Sequence, residues 1–183
     1  MGARESGART LIVCGHYDEA LKAKKTMAEV GWVPNAHNAS VGPALPKYQA
    51  VLTEDAEGVF SSSQWVHHDR LPLEGSASFY KSFNAEYGEP PSYQAAAAYA
   101  AGQILEAAVW KVGSIDRRRL REVLSSINFN SIIGRYGVDR TGRQSRHFML
   151  LVQWQEGSQE VVWPRELQTA EPVLVPSDPG WSN

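Results

Sequence analysis

Cysteine is nearly absent from this chain: Cys14 is the only one in 183 residues. No disulfide can form within it, so the fold rests on its core. Cys14 closes the apolar run Leu11-Ile12-Val13-Cys14, the setting of a buried strand cysteine that behaves as a small hydrophobe. A nucleophilic cysteine would need a neighbouring base and solvent access. Long hydrophobic runs are missing as well. Nothing approaches the ~20 apolar residues of a membrane-spanning helix, and Met1–Arg9 has no apolar stretch of the signal-peptide kind. Charge of one sign is lacking too, since 18 basic residues face 20 acidic ones. That balance leaves no electrostatic footprint for nucleic acid or an anionic membrane. No P-loop or Gly-x-Gly-x-x-Gly pattern occurs. Gly15-His16-Tyr17-Asp18 has no serine for a nucleophile elbow. His67-His68-Asp69 has neither the i, i+4 spacing nor the cysteine partner of a zinc site, so no metal and no cofactor is expected.

What is present is an ordinary globular composition, 43% hydrophobic and 21% charged, enriched in tryptophan and tyrosine. The apolar strand 10–14 precedes an amphipathic helix over 18–30, with Ala20, Ala23, Met27 and Val30 on one face and Gly31 at its end. Pro34 forces an extended entry to a second strand, 36–41. Gly42-Pro43-Ala44-Leu45-Pro46 then turns into a short helix ending near Leu52, and 57–61 reads as a third strand. Strands separated by helices of this length predict right-handed crossovers and a parallel sheet covered by helices on both faces.

Residues 66–75 read as a crossover loop. Three helices follow. Phe79, Phe83 and Tyr87 are spaced i, i+4, i+8 in the first, which Gly88 and Pro90-Pro91 terminate. The second, 92–112, carries a run of alanines; the third is capped by Asp116 and turns Leu120, Val123, Leu124 and Ile127 inward. Alternating strand and turn signals from 132 to 163 predict a small antiparallel meander. After Pro164 the composition is that of a loosely held tail.

Open α/β sheets bind ligands beyond the carboxyl ends of their parallel strands. That rule singles out His16 and Tyr17 after the first strand and Gln64 and Trp65 after the third. Tyr17 is a stacking or hydrogen-bonding wall for a ligand, or a tyrosine tucked against the sheet. His16 is a donor to a carboxylate, or a solvent-facing turn residue. Gln64 and Trp65 form a cleft wall, or the indole packs under the crossover loop.

Taken in order, these pieces resemble a known family. They are the strand into Gly15-His16-Tyr17, Met27-Ala-Glu-Val-Gly-Trp32, Val41-Gly-Pro-Ala-Leu-Pro46, Asp55-Ala-Glu-Gly-Val-Phe60 with Ser63-Gln-Trp65, Phe79-Tyr80 through Tyr87-Gly88, Tyr93 through Ala108, Gly113-Ser-Ile-Asp116 and Gln153-Trp154. Over roughly residues 8 to 164 the chain resembles the C-terminal half of a type I periplasmic substrate-binding protein of the branched-chain amino acid kind.

The resemblance implies two α/β lobes that close on a small-molecule ligand and pass it to an ABC permease in the periplasm, without catalysis. It implies that residues 1–65 form a βαβαβ portion of the second lobe and that 66–130 cross to helices packing on the first. Residues 131–164 would return as strands and 165–183 would form the tail. The first lobe would lie outside this chain, as for a fragment or truncated reading frame. The 92–112 helix would then present an exposed apolar patch prone to self-association. The family's ligand-contacting tyrosine falls on His16-Tyr17, and its acidic partner for a ligand ammonium falls on Val41, or on Ser40 or Gly42 if the register moves by one. A valine there implies a less cationic ligand, such as a carboxylate or an amide. The same fold also serves ligand-sensing domains of receptors or regulators. An enzyme on a doubly wound sheet is the rival class, for which no acid–base or nucleophile set is found.

Overall fold

The computed structural model describes residues 2–175. In chain order the elements are α1 (Gly2–Glu5), β1 (Thr10–Ile12), α2 (Tyr17–Glu29), β2 (Ala36–Asn38), α3 (Pro46–Leu52), β3 (Val59–Ser63), α4 (Ser76–Tyr87), α5 (Tyr93–Val112), α6 (Arg117–Leu124), β4 (Phe129–Ser131), β5 (Gly134–Tyr136), β6 (Leu150–Gln155) and β7 (Ser158–Trp163). They fall into two compact units. One comprises residues 2–63 and 150–175, the other residues 64–149.

The first unit is built on a five-stranded sheet in the order β1-β2-β3-β6-β7. Its first three strands are parallel, as expected for strands joined by helices; β6 and β7 then add antiparallel to β3 and to each other. The core sets the large rings of Tyr48 and Trp154 among Ala20, Ala39, Ala56, Leu52 and Val59. Small residues on α2, just after β2 and just before β3 leave the volume those rings fill, which is how a close-packed interior avoids voids. Trp154 keeps its indole N–H satisfied by donating to the Pro43 carbonyl at 2.8 Å. At the β6–β7 hairpin the Glu57 carboxylate accepts from the Glu156 and Gly157 amides at 2.8 and 2.7 Å.

The second unit packs Trp65, Phe79, Ala96, Ala100 and Ile132 into its own core. Ser92 caps α5 by accepting from the Ala95 amide, and Asp116 caps α6 by accepting from Arg119. Small side chains on α5 face inward at Ala96, Ala100 and Ala108, while Tyr99, Leu105 and Trp110 point to solvent, the last 80% exposed. The apolar exposure expected of this helix is therefore present, within a unit that still has a core.

Three expectations are corrected. Cys14 is exposed, because it shares the outward-facing alternation of Thr10 and Ile12, while Leu11 and Val13 take the half-buried face. The single meander over 132–163 is two separate structures. Residues 129–136 form a two-stranded hairpin in the helical unit, whereas 150–163 complete the main sheet, so the chain returns at Leu150. Residues 164–175 are not loose. The fully buried Gln153 amide donates to the Val173 carbonyl and accepts from the Val173 amide, and the Val175 amide reaches the Asn35 carbonyl. A buried primary amide must find such partners, and the returning chain supplies them. The remainder of the expected tail, 176–183, lies outside the described residues.

His37 on β2 is 5% exposed, and neither ring nitrogen has a protein hydrogen-bond partner. Burial first, and the nearby Lys24 charge second, push its pKa down to about 4. The folded state therefore holds His37 neutral in a pH range where the unfolded chain binds a proton. Stability is unaffected above about pH 6.5, falls as pH drops from there, and the loss is complete below about pH 4. Urea unfolding followed from pH 7 to pH 4 is expected to show wild type losing up to about 3 kcal/mol more than His37→Leu.

Candidate functional site

Parallel pairing of β1, β2 and β3 brings their carboxyl ends to one edge of the first unit. The segments leaving that edge are Val13–Tyr17 and Ala39–Gly42. Hydrogen bonds fix both. The Asn38 carbonyl accepts from the Val13 amide at 2.8 Å, and its side-chain oxygen accepts from the Ser40 amide at 3.2 Å. The Ser40 carbonyl accepts from the Ser61 hydroxyl and the Ser62 amide, each at 2.7 Å. Ser40 itself is left-handed at φ 41°, a conformation a non-glycine residue holds only when its surroundings over-determine it.

Gly42 joins the two segments. A Cβ at this position would stand 2.8 Å from the His16 carbonyl oxygen, 2.8 Å from Ala20 Cβ and 3.1 Å from Tyr17 Cα. No side chain fits, so only glycine allows the 42–44 turn to lie on the start of α2. From its other side the turn is held by β6 and β7. The Pro43 carbonyl accepts from Trp154 Nε1 at 2.8 Å and from Gln159 Nε2 at 2.9 Å.

Tyr17 opens α2, preceded by His16, whose amide donates to the Glu19 carboxylate at 2.9 Å. That backbone hydrogen bond is the main reason the Glu19 carboxyl group lies below its ordinary pKa. The half-buried Tyr17 ring meets the edge of Tyr48, with centroids 6.5 Å apart at 82°. Lys47 Nζ lies over the Tyr17 ring, 3.8 Å from its centroid, and the Tyr17 hydroxyl donates weakly to the Lys47 carbonyl at 3.4 Å. Behind this wall the buried Tyr48 hydroxyl makes no hydrogen bond to protein, and its pKa is raised by burial and by the neighbouring Tyr17 and Asp55.

Of the residues expected from sequence, His16, Tyr17, Val41 and Gly42 therefore meet at one edge. Gln64 and Trp65 belong to the second unit. Trp65 is 3% exposed; its Nε1 donates to the Ser76 hydroxyl at 3.0 Å and its ring stacks edge-on against Phe79. It is a packing residue, with no surface for a ligand. His67 stacks on Tyr80 at 4.1 Å, and His68 Nδ1 accepts from the Arg70 amide. Among the described residues no group of three or more His, Cys, Asp or Glu side chains could hold a metal, and no helix is long and apolar enough to cross a membrane. Lys47 was not foreseen, since nothing in Pro46-Lys47-Tyr48 announces that its ammonium covers a ring 30 positions earlier. Within the second unit, α4 and α5 also flank an open apolar groove of about 560 Å³, lined by Phe79, Phe83, Tyr87, Ala98, Tyr99 and Gln103. None of the expected site residues lines it.

Comparison with known proteins points one way. The family model described as periplasmic binding protein matches residues 2–159. Among solved structures, a leucine-binding protein, LivK, of Thermotoga maritima is 21% identical with a TM-score of 0.73, covering 87% of this chain and 45% of its own. LivJ of Streptococcus pneumoniae, a branched-chain amino acid transporter substrate-binding protein solved with isoleucine, is 19% identical with a TM-score of 0.71, covering 91% and 45%. An ABC-transporter solute-binding protein of R. palustris in complex with benzoate is 19% identical with a TM-score of 0.73, covering 97% and 47%. The chain thus spans just under half the length of these proteins.

The close approach at Gly42 sets a sign. Gly102 lies within α5 with nothing within 4 Å of an added Cβ, so Gly102→Ala is expected to stabilise by about 0.5–1 kcal/mol through helix propensity. Gly42→Ala meets backbone atoms and is expected to destabilise by about 1–3 kcal/mol. Thermal melts of the two variants should move in opposite directions.

Proposed function

The chain belongs to the periplasmic binding protein family, and we propose on that footing that it is the C-terminal half of the solute-binding component of an ABC transporter. In this reading it acts in the periplasm, binds a small molecule in a cleft between lobes, delivers it to permease subunits and carries out no chemistry itself. The ligand belongs to the amino acids or to amide- and carboxylate-type small molecules. Relatives of the same fold were solved with isoleucine and with benzoate, ligands that share a carboxylate and an apolar body.

The observation that carries this reading is the meeting of His16 and Tyr17 with Val41 and Gly42 at the carboxyl edge of three parallel strands. His16 and Tyr17 offer a donor and an aromatic face, the two kinds of contact that fix the orientation of a small apolar acid. The turn at 41–42, packed against the start of α2, supplies backbone to the same wall. The groove between α4 and α5, with its exposed aromatic lining, is the face on which the first lobe of such a protein would pack. Left uncovered, it is also the surface through which copies of this chain would associate.

Titrating isoleucine, leucine and benzoate into the isotope-labelled chain tests the reading. Amide shifts are expected at residues 16–17 and 41–42, and Tyr17→Ala should weaken binding about tenfold, the equivalent of ~1.4 kcal/mol, with an unchanged far-ultraviolet spectrum. Shifts confined to the α4–α5 groove, or none with any of these ligands, would refute it.

A further inference from the structure

Resting on the ligand edge proposed above, the geometry points to Lys47 as its specificity-determining residue, selecting a carboxylate ligand that carries no ammonium group. The first observation is the contact itself. Lys47 is exposed, and its Nζ lies 3.8 Å from the centroid of the Tyr17 ring. An ammonium therefore covers the aromatic face that a ligand would use.

The second observation is the distribution of carboxylates. Residues 10–17, 36–52 and 59–63 form the strands and loops that build the edge, and they contain no aspartate or glutamate, whereas Lys47 is cationic. Acidic groups close to the wall are Asp18 and Glu19 in the first turn of α2 and Asp55, whose charge acts on Tyr48 behind it. Glu19 is already engaged, accepting from the His16 amide at 2.9 Å. Asp18 is exposed and follows Tyr17 directly. Val41, on the turn packed against the start of α2, has only methyl groups to offer.

These two facts act in the same direction. A ligand carboxylate is a stronger partner for an ammonium than a ring face is, because it combines full charge with a hydrogen bond. It draws Lys47 off the ring, and the apolar body of the ligand takes the face that Lys47 leaves. A ligand ammonium meets the opposite situation: it is repelled by Lys47 and finds no carboxylate on the strand ends to offset its desolvation. A zwitterionic amino acid gains the first interaction and loses on the second. Its deaminated analogue only gains.

The test uses the whole chain and probes of constant shape. 4-Methylpentanoate, leucine and 3-methylbutylamine share one branched side chain and differ only in their charged groups; benzoate and benzylamine form an aromatic pair. Binding is read by amide shifts at residues 16–17, 41–42 and 47 and by calorimetry. The acids are expected to bind at least tenfold tighter than leucine or either amine, and their affinity should fall as salt rises. Lys47→Gln should cost the acids about tenfold, leave leucine within about twofold because its gain and its loss cancel, and tighten the two amines, and Lys47→Arg should restore most of the acids' loss. Because Lys47 is exposed, unchanged melting of both variants separates this effect from folding. Leucine binding as tightly as 4-methylpentanoate, or acid affinity indifferent to Lys47→Gln, would overturn the assignment yet leave the ligand edge standing. If no probe shifts residues 16–17 and 41–42, the edge itself fails and the assignment falls with it.

Discussion

The arrangement of the first unit depends on one contact, the seating of Gly42 on the start of α2. Without a side chain, its Cα comes close to the His16 carbonyl, the Tyr17 Cα and the Ala20 methyl group. Any larger residue would open a gap of at least a methyl group between the 42–44 turn and the helix. That gap would separate the two segments that carry the candidate ligand wall. It would also draw the Pro43 carbonyl away from Trp154 and Gln159, so the effect would reach the far strands of the sheet. Close packing makes such a shift discrete rather than gradual.

The sheet around this contact has two parts with different tasks. The parallel strands β1, β2 and β3 aim their carboxyl ends at one edge, where loops can be placed for binding. The antiparallel strands β6 and β7 bring in Trp154, Gln153 and Gln159, which fill the core, pin residues 173 to 175 and hold the turn from behind. The residues of the proposed ligand wall and those that support it thus come from different stretches of the chain. The wall can vary in chemistry without loss of the core that positions it. Lys47 over Tyr17 is a case in point, since an exposed ammonium alters the charge of the wall and takes no part in the packing beneath it.

Much of the secondary structure was legible because local physics sets it. The helix at 17–29 follows from apolar residues at helical spacing, α5 and α6 start at Ser92 and Asp116 because these side chains cap orphan amides, and Gly88 and Pro90-Pro91 end α4. Strand pairing was less legible. Residues 129–136 and 150–163 carry similar alternation and turn signals, and only their partners distinguish a separate hairpin from strands that join the main sheet. Cys14 misled for a related reason: a uniformly apolar run does not show which alternate residues face the core, and Thr10, Ile12 and Cys14 face outward.

Of the candidate site, the strand-end rule located His16 and Tyr17 without help, because the break after an apolar strand is written in adjacent residues. The family resemblance located the 41–42 turn. Trp65 could not be placed by either route, since an aromatic after a strand suits a cleft and a core equally; burial against Phe79 and a bond to Ser76 decided it. The sequence by itself determined the helices from α2 onward, the caps of α5 and α6 and the βαβαβ order, all of which depend on residue type and short-range spacing. Tertiary structure alone decided that Gly42 must be glycine, that Lys47 covers Tyr17, and that residues over a hundred positions away hold the turn. Such contacts depend on distances in space, which spacing along a chain does not encode.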